Sequence, residues 1–174
     1  MATKKYPKSL IFIHWFTVLL LAVQIILGMT VEDKEFGPKD FNWFRAHALL
    51  GMLILLLTII RIYLKNKHRD EIPAIDYYSS FHKLLVNGVH GLMYLLLIVM
   101  PIQGFIMVYK TGALQYDLGG PFPEGAKLDK NLTEVHETFF YILLALILMH
   151  VVGIILYRIK TGENLLKRMC LLSK

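Results

Sequence analysis

Four long apolar runs constrain this chain more than any other feature of its sequence. They cover residues 10–30, 43–64, 84–109 and 132–157. Each run is long enough to cross the hydrocarbon core of a bilayer, which takes about 20 apolar residues. Hydrophobic residues make up 56% of the 174-residue chain, which is more than an ordinary soluble domain contains. We therefore expect an all-α integral membrane protein, a four-helix bundle that uses residues 1–174 as a single domain.

The distribution of basic residues predicts the orientation of these helices. The formal net charge is +6, and most of the 19 Lys and Arg residues lie in the N-terminal segment, the second connection and the C-terminal tail. In a four-span chain these three segments share one side of the membrane. Because cytoplasmic loops carry the excess of Lys and Arg, both termini are expected to be cytoplasmic. We therefore interpret the positive charge as orienting the helices and attracting anionic lipid, and we expect no nucleic-acid partner.

Four histidines lie near the ends of the apolar runs, and they are the candidate functional residues. His14 and His47 come early in the first and second runs, and His136 and His150 lie near the two ends of the last. An ionisable residue inside a bilayer is costly and therefore suggests a function. His136 and His150 are separated by about 40° around a helix and about 21 Å along it, so one helix presents two imidazoles to the bundle at two depths. A lone histidine at a span end is commonly an interfacial residue, but four at paired depths are hard to explain in that way.

The predicted topology selects the partners. His47 and His136 should lie near the outer face, and His14 and His150 near the inner face. Two facing imidazoles fill both axial positions of a haem iron, which favours electron transfer over oxygen binding. A structural zinc site would need four clustered ligands, whereas these divide by depth. We predict two b-type haems per chain, each held by a His pair without a thioether link, since no C-x-x-C-H motif occurs.

Other residues near these depths are candidates for cofactor contact. His90, in the third run, is an alternative inner ligand in place of His14 or His150, or a hydrogen-bond donor to a propionate or a quinone. Gly51 follows His47 by one turn and is expected to make room for haem, although small residues also serve helix packing. Arg45 and Arg61 are candidate partners of haem propionates. The third connection, residues 110–131, contains several Gly and Pro turn signals that argue against a helix there.

The whole chain resembles the bacterial cytochrome b561 family, which is related to the cytochrome b subunits of nickel–iron hydrogenases and formate dehydrogenases. The matching motifs are Ile13-His14-Trp15, His47 with Gly51, Gly88-Val89-His90-Gly91 with Tyr94, Pro101-Ile102-Gln103-Gly104, Val135-His136-Glu137-Thr138 and Leu148-Met149-His150. The resemblance implies a bacterial inner-membrane protein with two b haems, the inner one ligated by the first and fourth helices and the outer one by the second and fourth.

The resemblance also implies a quinone partner near the inner haem, where Asn87 and His90 would contact it. Some relatives carry further histidines just beyond the last ligand. This chain has none at residues 153–158, so its quinone site is expected to be altered or to use Tyr157.

Three functions remain open on this basis. The first is a di-haem electron carrier that exchanges electrons with quinone, with a periplasmic donor or superoxide on the other side; its enzyme form would be a superoxide:ubiquinone oxidoreductase. An anionic donor would be steered by the basic residues Arg45, Lys110, Lys127 and Lys130, although acidic residues in the same loops weaken this attraction. The second is a cytochrome b anchor subunit of a larger dehydrogenase or hydrogenase complex. The third is a haem-free small transporter, which the scarcity of polar residues at the span centres disfavours.

Overall fold

Every element of the chain that the structure describes is helical. The structure is a computed structural model, and it describes residues 4–30 and 38–170, with side chains described from residue 42 onward in the second part. The helices are α1 Lys8–Gly28, α2 Pro38–Lys67, α3 Ser80–Lys110, α4 Ala113–Asp117, α5 Lys130–Thr161 and α6 Leu165–Arg168, and a 3₁₀ turn lies at Arg69–Glu71. No strand occurs in these ranges, and the all-α prediction is confirmed.

Four of these helices are long and apolar enough to cross a membrane. They are α1, residues 42–67 of α2, α3 and α5. Many of the apolar side chains in these segments point away from the bundle, Ile26, Leu95 and Leu148 among them. An exposed apolar surface of this extent is stable only in a lipid environment, because soluble monomers rarely expose large contiguous apolar patches. The predicted membrane bundle is therefore confirmed. Helices α2, α3 and α5 extend beyond their apolar runs at both ends, whereas α1 begins and ends two residues earlier than its run.

The third connection departs from its prediction, because it contains the short helix α4. Gly112 adopts the left-handed backbone conformation, with φ of 75°, and Gly119 does so with φ of 93°. The first turns the chain from the end of α3 into α4, and the second lies just beyond the end of α4. The glycines thus bracket a helix of five residues, whereas the sequence prediction took them to exclude one.

Close packing joins α1 to α2, α2 to α3 and α3 to α5. Across the described residues, α5 does not pack closely along α1 or α2. The central core is a layer of aliphatic side chains from α2, α3 and α5, namely Ile54, Val89, Leu96, Leu97, Leu143 and Leu146. This layer lies midway along the bundle, and the four histidines lie above and below it.

The described N-terminal and C-terminal segments, residues 4–7 and 162–170, meet at the same end of the bundle, here called the terminal end. Backbone N–H of Tyr6 donates to the carbonyl of Arg168 over 3.1 Å, and Trp15 Nε1 donates to the carbonyl of Met169 over 2.8 Å. Arg168 also donates to the carbonyl of Ala74, in the second connection, over 2.7 Å. Burial among these segments raises the pKa of the Tyr6 phenol. The N-terminal segment, the second connection and the C-terminal tail therefore form one folded layer.

Residues 111–129 fold over the opposite end of the bundle and are here called the cap. The cap buries Ala113 and Ala126 against Phe44 of α2. Two ion pairs connect it to the long helices. Arg45 of α2 donates to Asp117 over 2.9 Å, and Lys110 at the end of α3 donates to Asp129 over 2.9 Å. The cap is thus held by both apolar and ionic contacts.

Candidate functional site: two facing histidine pairs

His47 of α2 and His136 of α5 face each other near the cap end. Their ring centres are 6.2 Å apart, and the rings are inclined by 68°. The Nδ1 atoms of both rings are buried and have no hydrogen-bond partner. The pair lines a cavity of about 420 Å³, whose wall is mostly apolar. Since α2 and α5 do not pack closely, the two rings face each other across a gap between helices.

His14 of α1 and His150 of α5 form the corresponding pair near the terminal end. Their ring centres are 6.5 Å apart, with an inclination of 71°. Arg61 of α2 donates to Nδ1 of His14 over 2.7 Å. Because a guanidinium can only donate, Nδ1 of His14 is the accepting nitrogen in this contact. This pair also spans two helices, α1 and α5, that do not pack closely.

His90 of α3 lies beside the second pair, as the sequence analysis allowed. Its ring centre is 4.9 Å from that of His150, closer than His14, and the two rings are nearly perpendicular. Nδ1 of His90 lies 2.7 Å from the carbonyl of Val86, one turn earlier. A carbonyl only accepts, so Nδ1 carries the proton and Nε2 keeps its lone pair. The structure thus brings three histidines together at this depth.

A second, larger cavity surrounds these three histidines and opens at the terminal end. Its volume is about 1330 Å³. Arg61, Lys65, Arg69, Lys160 and Arg168 all line it, and none of its described lining residues is Asp or Glu. Arg61 and Lys65 lie over the same ring, that of Tyr94, at 5.9 and 5.6 Å from its centroid. The smaller cavity differs in the charge of its lining. Apart from the histidines, its only described charged lining residue is an acid, Glu137.

All three predicted quinone contacts, Asn87, His90 and Tyr157, line the larger cavity. Asn87 lies on its wall and is exposed there to the surroundings of the bundle. Tyr157 is buried, and its hydroxyl donates to Glu163 over 3.2 Å. Tyr157 also stacks with Tyr78 and His82, whose own ring centres lie 3.9 Å apart. The sequence analysis did not identify this aromatic cluster, because its members come from three separate segments.

The other predicted site residues are placed as follows. Arg45 lies at the cap end, bonded to Asp117 and, over 3.1 Å, to the side chain of Asn42. Arg61 lies in the larger cavity. Gly51 lines the smaller cavity, where a Cβ atom on it would lie 3.2 Å from the amide nitrogen of Gln24. Gln24 itself contacts His47, and the sequence analysis did not identify it as a site residue.

Bare metal ions have no evident site in the part of the chain that the structure describes. No group of three or more His, Cys, Asp or Glu side chains there is placed to hold one. The histidines occur instead as pairs whose ring centres lie 6.2 and 6.5 Å apart.

Comparisons with known proteins identify the family of this chain. The profile of a family described as prokaryotic cytochrome b561 matches residues 5–170. The chain is 28% identical over 173 residues to the probable superoxide oxidase CybB of Yersinia pestis, covering 95% of this chain and 96% of that one. It is 21% identical over 173 residues to the cytochrome b561 homolog 1 of Escherichia coli (strain K12), with the same coverage. No solved structure matches the chain.

The family match extends over nearly the whole chain and over all four membrane-spanning helices. It confirms the resemblance seen in the histidine, glycine and proline motifs, and it implies a b-type haem. The chain belongs to the prokaryotic cytochrome b561 family and is a bacterial membrane cytochrome b with an electron-transfer role.

Proposed function

We propose that this protein binds two b-type haems, one at each facing histidine pair, and carries electrons across the bacterial inner membrane between an outer donor and a quinone. His47 and His136 hold the outer haem, and His14 and His150 hold the inner one. The observation that carries the proposal is the separation of the two ring centres within each histidine pair.

The spacing suits an iron atom between two imidazoles. Two metal–nitrogen bonds of about 2 Å, with about 1.2 Å from each nitrogen to its ring centre, put the ring centres about 6.4 Å apart. The observed separations are 6.2 and 6.5 Å. The His90–His150 separation of 4.9 Å is too short for this arrangement, which favours His14 as the partner of His150. His90 then lies beside the inner haem as a neighbour.

The residues around the histidine rings also support the binding of a haem at each pair. Each pair spans two helices that do not pack closely, so a flat group can enter between them. Gly28 and Gly104 leave space beside the rings of His47 and His136, since Cβ atoms there would lie 3.0 and 3.9 Å from the respective Cε1 atoms. A haem held by such a pair would supply reversible one-electron chemistry.

The protein's own side chains keep the two sites apart and dry. The aliphatic layer formed by Ile54, Val89, Leu96, Leu97, Leu143 and Leu146 lies between the two histidine levels. It has no charged member, so it excludes water and ions from the middle of the bundle. Arg61, whose position places a positive charge beside His14, is suited to balance the negative charge of a haem carboxylate.

The larger cavity supports a quinone site near the inner haem. Its volume of about 1330 Å³ exceeds the roughly 300–1,000 Å³ of a typical ligand pocket, which leaves room for a second ligand. Asn87, His90 and Tyr157 offer polar groups along its wall. Its position at the end of the bundle that carries most of the basic residues supports a cytoplasmic orientation of the quinone site and of both termini.

Superoxide oxidation is a second candidate function, and the similarity to a probable superoxide oxidase favours it. This candidate is weakened because the following cations at the cap end are paired with carboxylates. Arg45 is paired with Asp117, Lys110 with Asp129, and Lys130 lies 3.8 Å from Glu134. Paired charges produce little net field beyond a Debye length, so steering of an anionic donor would be modest. Superoxide consumption by the purified protein with a quinone acceptor tests this candidate directly.

A reduced-minus-oxidised visible spectrum, with pyridine haemochrome quantitation, tests the main proposal. The detergent-purified protein should contain two low-spin b haems per chain. His47→Ala and His14→Ala should each lose one haem, whereas His90→Ala and the loop control His68→Ala should keep both. Loss of a haem in His90→Ala with retention in His14→Ala would contradict the inner pair. Absence of haem in the folded, haem-supplied protein would overturn the proposal.

A further inference from the structure

We propose that Gln103 of α3 is a positioning residue for the outer haem ligand His136. It occupies the backbone carbonyl to which Nδ1 of His136 would otherwise donate, and it thereby raises the reduction potential of the outer haem. The proposal rests on the proposed function, since it takes His136 as an axial ligand through Nε2. It adds a residue of α3 to a site whose two histidines come from α2 and α5.

The Gln103 amide is held in one orientation at the start of α5. The side chain is only 8% exposed, and its Nε2 donates to the backbone carbonyl of Leu132 over 2.8 Å. Leu132 lies four residues before His136 within α5, so the same carbonyl also accepts the backbone N–H of His136 in the helix. A carbonyl oxygen has two lone pairs, and both are therefore in use.

His90 shows the hydrogen bond that His136 lacks. Nδ1 of His90 lies 2.7 Å from the carbonyl of Val86, four residues earlier on α3. His136 stands in the same relation to Leu132 on α5, yet its Nδ1 is buried and has no hydrogen-bond partner. The carbonyl that would correspond to that of Val86 is the one that Gln103 occupies.

The same stretch of α3 also lies against the ring of His136. Gly104 follows Gln103 directly, and a Cβ atom there would lie 3.9 Å from Cε1 of His136, the carbon between the two ring nitrogens. Two neighbouring residues of α3 thus border the ligand, one at its ring and the other at the carbonyl one turn before it.

The missing hydrogen bond affects the iron through the ring. When Nε2 ligates a metal, the proton of the imidazole lies on Nδ1. A carbonyl that accepts this proton makes the imidazole more basic, and a more basic ligand favours oxidised iron. With the Leu132 carbonyl occupied, the His136 ring remains the weaker electron donor, and the outer haem is easier to reduce than it would be without Gln103.

The test is a potentiometric titration of haem absorbance, combined with low-temperature EPR, on the purified holoprotein and its variants. Gln103→Met and Gln103→Leu both remove the amide donor, with apolar side chains of different shape. Thr58→Val is the matched control, because the buried Thr58 hydroxyl also donates to a backbone carbonyl, that of Ile54 over 2.8 Å. His47→Ala identifies which titration step and which EPR signal belong to the outer haem.

Both Gln103 variants should keep two haems, move the outer step to a lower potential and alter its EPR signal, while the inner step stays in place. The control should leave both steps unchanged. An unchanged or raised outer potential, or equal shifts of both steps, would overturn the inference. Loss of the outer haem from both variants would also overturn it, because Gln103 would then only tie α3 to α5. If the parent protein lacks two haems, the proposed function fails instead, and this outcome is seen before any variant is compared.

Discussion

Gly28 is the residue at which the outer histidine site has the least free space. A Cβ atom at this position would lie 3.0 Å from Cε1 of His47, closer than side chains normally approach. Gly28→Ala should therefore displace the His47 ring, destabilise the protein by about 1–3 kcal/mol and lower its haem content. The measurements are the haem-to-protein ratio and the thermal unfolding temperature.

Gly88→Ala provides the control for this prediction. Gly88 is also helical, and a Cβ atom there would meet nothing within 4 Å. This variant should keep its full haem content and unfold at the same temperature or slightly higher, because alanine favours a helix over glycine. Equal loss of haem in both variants would show that the space beside His47 is not what matters.

At the level of single residues, part of the candidate site could be predicted from the sequence. His14, His47, His136 and His150 could be paired from their depth and the order of the helices, and the structure brings the same pairs face to face. Gln24 could not be identified, because a neutral amide carries no charge or metal-ligand signature. The sequence offers one indication of its contact with His47, because a glycine follows Gln24 by four residues just as a glycine follows His47 by four residues. This match can be interpreted only once α1 and α2 are known to be neighbours.

Asp129 determines how one element, the long helix α5, begins. Its side chain accepts from the backbone N–H of Leu132 and from Lys110, and the bond to Lys110 is the main reason that the pKa of this carboxyl is lower than usual. A carboxyl with a lowered folded-state pKa stabilises the protein above its unfolded pKa, and this contribution is lost as the pH falls through the folded value. Stability should therefore decline on the acid side, below the ordinary pKa range of aspartic acid.

Asp129→Asn separates the charge from the capping role. The amide oxygen can still accept from Leu132, but it does not titrate, so the variant should show a flatter stability profile below about pH 4, the ordinary pKa of aspartic acid. Thermal unfolding across this range measures the difference. Glu134→Gln, at the exposed partner of Lys130, is the control and should leave the profile of the parent unchanged. An identical slope in parent and Asp129→Asn would contradict the prediction.

The elements themselves were predicted with uneven success. The long helices follow from apolar runs whose length matches a bilayer, and all four are present. The helix α4 was missed because Gly112 and Gly119 were taken as turn signals for the whole connection. Their left-handed backbone conformations mark the two ends of α4, and the sequence does not distinguish a turn that excludes a helix from one that bounds it.

The charge contrast between the two cavities belongs to the whole molecule. Arg61 and four other cations line the larger cavity, and the described lining of the smaller one has a single acid, Glu137, as its charged member besides the histidines. Positive charge near an iron favours its reduced state, and in a low-dielectric site the effect is large. The inner haem should therefore titrate at a higher potential than the outer one. Arg61→Leu should lower the inner step more than the outer, as measured by potentiometric titration, and an inner step unaffected by this change would contradict the argument.

The orientation of the whole molecule can be tested with single cysteines in a Cys170→Ser background. Leu118, in the cap, is 79% exposed, and Asp70 lies in the second connection. Leu118→Cys should react with a membrane-impermeant maleimide in intact spheroplasts, whereas Asp70→Cys should react only after the membrane is opened. The reverse pattern would invert the proposed topology.

The arrangement of α5 has a consequence for how the protein is made. Both facing pairs take one histidine from α5, which packs closely along α3 but not along α1 or α2. A ribosome finishes α5 after the other three long helices, so neither pair exists until the last of them has been synthesised and inserted. The three earlier helices can settle side by side in the membrane beforehand, and both binding positions come into being in one late step of biogenesis.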